Sequence, residues 1–478
     1  MKMNPKISKE IFNNLDSQYQ IYPESLKECN GNFFAIARNN RNKYLIVKGK
    51  NYKEFDGEIF KDDIRICPLN NINAGIIKNF FPWLIPIKCL KNISFGFGDR
   101  LGISTPAHVS VIKRKNIFPV FAQQSVRENS RTGRTFQKVL DDAVWGCFES
   151  GYSEGYGADA DHLKDKQNLN EAASAGYTMF TIDLSDYIKN PQSLTSDEKI
   201  AYWKNIPNAD SLYTFFLNKE YAIGKNVYKF TNSETRRVII TFANGLKFAA
   251  ECYFLLKQIK SQFDFEISID EISIPTTPID HIFAIEYMRK NGIFPTSLAP
   301  KFPGEFEKAI DYKGDVNEFA ESFCLHNEIC QFFGGYKISI HSGSDKFAIY
   351  PFIHKYAENF HIKTAGTSWL QAVKAIAVTN PSLYRKIYAC AIENIQHDRI
   401  GYVVHMDMKK IPDINTITDN DLPKLFELPD TRQLIHITYG SILKFFHREI
   451  YDTLFKFEKE HYNQVSQHLL KHLKLIDI

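Results

Sequence analysis

The sequence predicts an α/β fold built on a (β/α)8 barrel of the TIM type, with an N-terminal extension, a helical insertion after the fourth strand and a helical C-terminal extension. From about Ile93 onward, short strand-like apolar runs alternate with longer helix-like stretches. There are eight such runs, and each ends in a polar or glycine-containing cluster. The chain has 478 residues, well above the roughly 250 of a single barrel domain, so we expect additions around the barrel.

The predicted barrel strands follow one another at regular intervals. The first lies just before Gly98, and the others cover residues 120–123, 157–161, 179–183, 265–270, 294–298, 336–340 and 361–364. Amphipathic helices are predicted between them at residues 135–151, 280–291 and 315–334, because apolar residues recur there at helical spacing. Gly292 directly after the second of these is a common helix stop. This alternation is what a (β/α)8 barrel requires.

The chain divides into three predicted segments. Residues 1–90 form a mixed α/β lead-in with strands at 32–38 and 44–48, and residues 91–412 form the catalytic barrel. Within the barrel, about 190–262 is helix-rich and far longer than a simple crossover, so we interpret it as an insertion that can serve as a lid. Residues 413–478 are predicted to be a helical extension that packs on the barrel or forms a homo-oligomer contact.

Composition excludes several classes of protein. The net charge is only +4 and the lysines are scattered among acidic residues, so no nucleic-acid partner is expected. The eight cysteines contain no CxxC pair, which argues against a zinc ribbon or a disulfide framework. Neither a signal peptide nor a run of about 18 apolar residues is visible, so we expect no membrane partner and a cytoplasmic location.

Polar residues cluster at the C-terminal ends of the predicted strands, where barrel enzymes build their sites. The densest cluster is residues 157–164, in which Asp161, His162 and Lys164 follow small residues. Imidazole and carboxylate groups are good ligands for divalent metals. A structural salt-bridge cluster is the alternative interpretation. His341 ends the seventh predicted strand, so we expect it at the same mouth as His162 and as a second metal ligand, rather than as a structural histidine.

Carboxylates follow two further predicted strands. Asp270 and Glu271 end the fifth strand, and a carboxylate there suits acid–base chemistry, whereas capping of the loop is the competing role. We choose Glu271 for chemistry. Asp311 follows the sixth strand and is a candidate third metal ligand beside the two histidines, while Asp315 is interpreted as a helix cap.

Several long motifs resemble the tagaturonate epimerase family. They occupy residues 98–102, 119–128, 132–136, 140–146, 157–164, 297–302, 334–337, 341–347 and 363–369, within a similarity that runs from about Phe95 to Tyr439. Members of that family interconvert D-tagaturonate and D-fructuronate and use a divalent metal. The resemblance implies that Asp161 is the proton acceptor and Glu271 the proton donor, and that His162, Asp311 and His341 bind the metal. It leaves the ion open among Zn, Mn, Ni, Co and Fe.

The expected substrate is a small keto-uronate, whose carboxylate needs a cationic or amide-rich seat. The candidates are Arg100, Gln124, Lys164, Lys301 and Lys346, which all lie near strand ends. The inverted carbon of this substrate is β to the ketone, so simple enolisation would act at the wrong position. Two routes remain: retro-aldol cleavage with re-addition, which we favour, and proton and hydride movements managed by paired groups. A metal-dependent sugar-acid aldolase, an aldose–ketose isomerase and a non-catalytic sugar-acid sensor remain as alternatives.

Overall fold

The structure is a computed structural model, and it describes residues 15, 18–61, 63–272, 274–402 and 404–477. Within this part of the chain an antiparallel sheet comes first. Its strands are β1 (Gln20–Ile21), β2 (Lys27–Cys29), β3 (Asn32–Asn39), β4 (Asn42–Lys48), β5 (Glu58–Lys61) and β6 (Ile64–Pro68), in the order β1-β3-β4-β6-β5 with β2 also paired to β3. β3 and β4 match the two strands predicted in the lead-in.

Eight parallel strands then close into a barrel, which confirms the predicted fold class. They are β7 (Ile93–Phe97), β8 (Phe118–Ser125), β9 (Gly157–Leu163), β10 (Met179–Asp183), β13 (Asp264–Ile269), β14 (Ser297–Pro300), β15 (Lys337–Ile340) and β16 (Phe360–Thr364). The hydrogen-bonded order is β10-β13-β14-β15-β16-β7-β8-β9. The sixth predicted strand is displaced, because residues 294–296 precede β14, whereas the fourth matches β10 at both ends.

The described part of the chain contains 16 α-helices. They are α1 (Asn71–Phe80), α2 (Thr105–Ile112), α3 (Val126–Thr132), α4 (Phe136–Ser150), α5 (Lys166–Ala175), α6 (Ser196–Lys204), α7 (Ala209–Phe216), α8 (Asn232–Ile259), α9 (Pro278–Lys290), α10 (Val316–Phe332), α11 (Tyr350–Tyr356), α12 (Thr367–Thr379), α13 (Pro381–Asp398), α14 (Pro429–Ile437), α15 (Tyr439–Lys456) and α16 (Glu458–Leu475). Short 3-10 helices cover Pro23–Ser25, Tyr52–Glu54, Pro82–Leu84, Pro191–Ser193, Met408–Lys410, Ile414–Thr416 and Asp419–Glu427.

Helix ends follow local capping chemistry. Thr135 caps α4 by accepting a hydrogen bond from the Lys138 amide, and Thr277 forms a capping box with Asp280 at the start of α9. Asp315 caps α10 through the Asn317 amide at 2.8 Å, as predicted. These three helices agree with the predicted ones to within about two residues, which is the usual uncertainty at helix termini.

The insertion contains more than the predicted helices. Between α7 and α8 a two-stranded hairpin forms from β11 (Glu220–Ile223) and β12 (Asn226–Lys229). α8 is the one helix of the described residues that is long and apolar enough to cross a membrane, but 67% of its most apolar stretch is buried inside the protein. That burial is typical of a core helix, and α8 serves as the crossover between β10 and β13.

The barrel interior is polar, whereas the outward faces of its strands are apolar. In β9 the buried Ala158 and Ala160 alternate with Asp159 and Asp161, and in β16 the buried Phe360 and Ile362 alternate with His361 and Lys363. Successive side chains of a strand point to opposite faces, so the polar set faces the barrel axis. This alternation builds the site described next.

Candidate active site

A buried lysine joins three strands across the barrel axis. The Lys363 ammonium lies 2.8 Å from carboxylate oxygens of Asp159, Asp161 and Glu266, and it donates to Thr181 Oγ1 at 2.6 Å. Its side chain is only 2% exposed. Burial disfavours the charged amine, but the three carboxylates outweigh it and hold the pKa of Lys363 well above its usual value. Lys363 is therefore a fixed cation at the centre of the barrel.

Two histidines lie above this lysine, and each is held by a carboxylate. His162 Nδ1 lies 2.8 Å from Asp161 Oδ1, and His341 Nε2 lies 2.7 Å from Glu266 Oε1. The ring centroids of the two histidines are 4.9 Å apart. His162 adopts a left-handed backbone conformation, with φ of 55°, which is unusual for a non-glycine residue and typical of functional sites.

The remaining ring nitrogens converge on Asp270. Its Oδ1 lies 3.1 Å from His341 Nδ1 and 3.9 Å from His162 Nε2. The Nδ1 atom of His341 is buried and has no well-aligned hydrogen-bond partner among the described residues. Glu271 follows, with its Oε1 3.8 Å from His162 Nε2 and its side chain 38% exposed. Both histidines thus turn one nitrogen toward an orienting carboxylate and the other toward a second carboxylate.

The electrostatics of the pair follow from this arrangement. Burial lowers the pKa of each histidine, but Asp161 raises the pKa of His162 to about 10, and Asp270 and Glu266 raise that of His341 to about 9. Burial likewise raises the pKa of Asp161, but the nearby His162 and Lys363 bring it well below its usual value. At neutral pH the histidines are therefore protonated unless a metal takes their protons.

The donor set fits a divalent metal. Asp161, His162 and His341 each offer an atom within 4.8 Å of the others, and so do His162, Asp183 and Glu271. Asp161 Oδ1 already accepts hydrogen bonds from His162 Nδ1 and Lys363, so we infer that Asp161 orients His162. Asp270 is the carboxylate that faces the other nitrogens of the pair, His162 Nε2 and His341 Nδ1. A carboxylate behind each ligating histidine is the common arrangement in metal sites.

Two adjoining cavities open above the histidines at the C-terminal mouth of the barrel. The larger, of about 410 Å³, is lined by Asp161, His162, Lys164, Glu271 and Arg100, among others. The second, of about 310 Å³, is lined by Asp270, His341 and Lys301 and shares Arg127, Glu271, Lys308 and Tyr402 with the first. Volumes in this range suit a small-molecule ligand. Both linings contain lysine and arginine side chains as well as carboxylates, so the cavities offer partners for a polar, charged ligand.

Some predicted substrate contacts lie at these cavities. Lys164 donates to Ser185 Oγ at 2.8 Å and lies 4.0 Å from Glu271 Oε2. Lys301 lines the smaller cavity and donates to the Ile272 carbonyl. Arg100 lines the larger cavity, although its guanidinium is already bound by Glu128 at 3.0 Å and by His436.

The positions of three predicted residues differ from the prediction. Lys346 is buried and gives its ammonium to the carbonyls of Glu307, Ile310 and Ser344, so it does not reach the cavities. Burial lowers the pKa of Lys346 to about 7. Asp311 is exposed and accepts from the amides of Tyr312 and Ala348, outside both ligand groups that contain His162.

Gln124 is the third. Gln123 reaches Asp161 Oδ2 at 3.4 Å inside the barrel, so the alternation of β8 turns the buried Gln124 to the opposite face.

Glu266 and Lys363 were missed by sequence reasoning, and Asp270 was considered there only as the alternative to Glu271. A signal was available for all three. Polar residues at 264, 266, 268 and 270 recur at every second position of β13, as they do at 361 and 363 in β16. Polar residues at every second position of a barrel strand predict that the interior of the barrel is polar.

The closed barrel and the cavities at its C-terminal mouth define the class of protein as a (β/α)8-barrel enzyme that acts on small polar molecules. The sequence profile of the tagaturonate epimerase family matches residues 22–476. The chain belongs to the tagaturonate epimerase family, which confirms the resemblance seen in its motifs and its assignment as an isomerase.

Similar proteins match over nearly their whole length. A tagaturonate/fructuronate epimerase of Thermotoga maritima is 42% identical over 469 residues, which make up 96% of this chain and 97% of the relative. Crystal structures of a fructuronate-tagaturonate epimerase from Cohnella laeviribosi, one native and one with a single glycerol, are each 34% identical. Each has a TM-score of 0.93 and covers 99% of this chain and 100% of its own.

Proposed function

We propose that the protein interconverts D-tagaturonate and D-fructuronate at the C-terminal mouth of the barrel. The observation that carries the proposal is the pair of carboxylate-held histidines that face Asp270 below the cavities, in a chain that matches such epimerases end to end. A uronate carboxylate needs cationic partners, and lysine and arginine side chains are present among the acidic groups that line the cavities. Lys164 and Lys301, with Arg127 and Lys308, are the side chains we assign to it.

We further propose that the reaction depends on a divalent metal of the Zn, Mn, Ni, Co or Fe class. His162 Nε2, His341 Nδ1 and Asp270 would hold it, with Glu271 beside them, and Asp311 has no part in this set. A cation there would act as a Lewis acid on the keto and hydroxyl oxygens of the substrate. Asp161 and Glu266 keep the two imidazoles oriented through their other nitrogens.

The β position of the inverted carbon favours a retro-aldol route. One carboxylate takes the proton of the β-hydroxyl, and the bond between the α and β carbons breaks to give an aldehyde and an enediolate. Rotation of the aldehyde and re-addition to its other face restores the bond, and the new alkoxide regains a proton. We assign the first proton transfer to Asp161, which lines the cavity in ionised form, and the last to the partly exposed Glu271.

The experiment is turnover of D-fructuronate in heavy water by metal-reconstituted protein. We expect D-tagaturonate to accumulate with its original hydrogen on the inverted carbon, because the retro-aldol route never breaks that C–H bond. We also expect chelation to abolish turnover and added metal to restore it. Nuclear magnetic resonance of the product reads both outcomes.

Other results separate the alternatives. Released three-carbon fragments without epimer would indicate an aldolase, and an aldose product would indicate an aldose–ketose isomerase. Deuterium on the inverted carbon would contradict the retro-aldol route while leaving epimerisation in place. Binding of D-fructuronate without any conversion by the metal-loaded protein would favour the sensor.

A further inference from the structure

A separate cavity lies at the opposite, N-terminal mouth of the barrel. Its volume is about 380 Å³. The first residues of four barrel strands line it, namely Met179, Asp264, Ser297 and Lys337. Barrel enzymes place their chemistry at the other mouth, so the proposed reaction makes no use of this cavity. We call it the N-terminal pocket.

The N-terminal pocket carries unmatched positive charge. Lys88, Arg289 and Lys337 line it, and none of them forms an ion pair with a residue of the described ranges. Lys337 instead donates to Cys89 Sγ at 2.9 Å and to Ser94 Oγ at 2.8 Å. The carboxylate in the lining, Asp264, accepts the Cys89 backbone amide at 2.7 Å. Three cations therefore face one carboxylate.

A buried histidine supplies an unused polar atom. His361 is 0% exposed and lines the pocket, with its Nδ1 2.9 Å from Ser94 Oγ. Its Nε2 is buried and has no hydrogen-bond partner in the described part of the chain. Burial lowers the pKa of His361 to about 3, so the ring is neutral at physiological pH. A buried polar atom without a partner costs free energy that a bound ligand would recover.

We propose that the N-terminal pocket binds a small organic carboxylate with an apolar body. Lys337, Lys88 and Arg289 would neutralise the carboxylate, and His361 would supply a hydrogen bond at the base of the pocket. The apolar body would lie against Met179, Ile285, Phe294 and Phe333, which complete the wall. An inorganic anion would leave this apolar wall uncovered. The occupant would lie beside Ser297, which donates to Glu266 Oε2 at 2.6 Å.

Isothermal titration with benzoate tests the proposal on the full-length protein. We expect one site per chain, and at least tenfold weaker binding to Lys337→Met, because the substitution removes the pocket cation that contacts Ser94 beside His361. Lys290→Met is the matched control, since Lys290 has the same charge but does not line the pocket, and it should bind benzoate as the unsubstituted protein does. Saturating D-fructuronate should leave benzoate binding unchanged.

A second variant guards against misfolding of Lys337→Met. Arg289 is exposed, so Arg289→Gln should fold normally and bind benzoate several-fold more weakly. The proposal is overturned if benzoate does not bind, if Lys337→Met binds it as tightly as Lys290→Met, or if D-fructuronate displaces it. Tighter binding of inorganic phosphate than of benzoate would also overturn it, because phosphate has no apolar body.

Discussion

Replacement of His341 by glutamine is expected to lower the rate of epimerisation by roughly 10³-fold, equivalent to about 4 kcal/mol of transition-state stabilisation. The glutamine amide can still donate to Glu266, but it provides no imidazole nitrogen toward Asp270. The bound metal should be lost with the activity. Metal content of the purified variant by mass spectrometry and its turnover of D-fructuronate check the two effects together.

The control for this substitution is His397→Gln, because His397 is largely exposed on α13 and lines neither cavity. It should retain both metal and activity. A His341→Gln variant that keeps its full metal content and more than a tenth of its activity would contradict the assignment of His341 as a ligand.

Replacement of Lys363 by methionine has the largest expected effect on stability. Three buried carboxylates lose their shared cation, and an uncompensated buried charge costs roughly 3–5 kcal/mol. Thermal unfolding should show this loss. The fraction of Lys363→Met that folds should also lose activity at a higher pH on the acid side of its pH–rate profile. The reason is that Lys363 helps to keep the pKa of Asp161 low. Below that pKa Asp161 is protonated and cannot accept a proton.

Lys337→Met provides the matched control. Lys337 is the first residue of β15 and, like Lys363, lies inside the barrel, but it has no ion pair among the described residues. Its stability loss should be clearly smaller, and the acid limb should not move. Equal destabilisation of the two variants would mean that the carboxylates around Lys363 do not need its charge. If the acid limb of the Lys363→Met profile did not move, the protonation of Asp161 would not control the rate.

Residues at the ends of regular strands could be predicted because the strand fixes their direction. Asp161, His162, His341 and Glu271 were all found in this way, and all line the cavities at one mouth. The prediction did not use the alternation within each strand, which determines the residues that face the barrel interior. Asp270 continues the inward-facing series of β13, so that series favoured Asp270 over Glu271 as the residue beside both histidines.

Residues in loops could not be placed by the same reasoning. Lys346 follows β15 by six residues, and the chain between them turns through left-handed conformations at Ser342 and Asp345, with φ of 50° and 63°. These turns send the lysine into the protein rather than over the barrel. Asp311 lies in an irregular segment between β14 and α10, where no periodicity fixes the side chain. The hairpin of β11 and β12 was missed because its strands are only four residues long.

The central claim is that a metal-dependent site lies between His162 and His341 at the C-terminal mouth of the barrel. Anomalous diffraction at the absorption edge of a bound transition metal tests it most directly. We predict one strong peak bonded to His162 Nε2, His341 Nδ1 and an oxygen of Asp270. A strong peak instead at the buried group of Asp345, His468 and His472, or none near the two histidines, would contradict the claim.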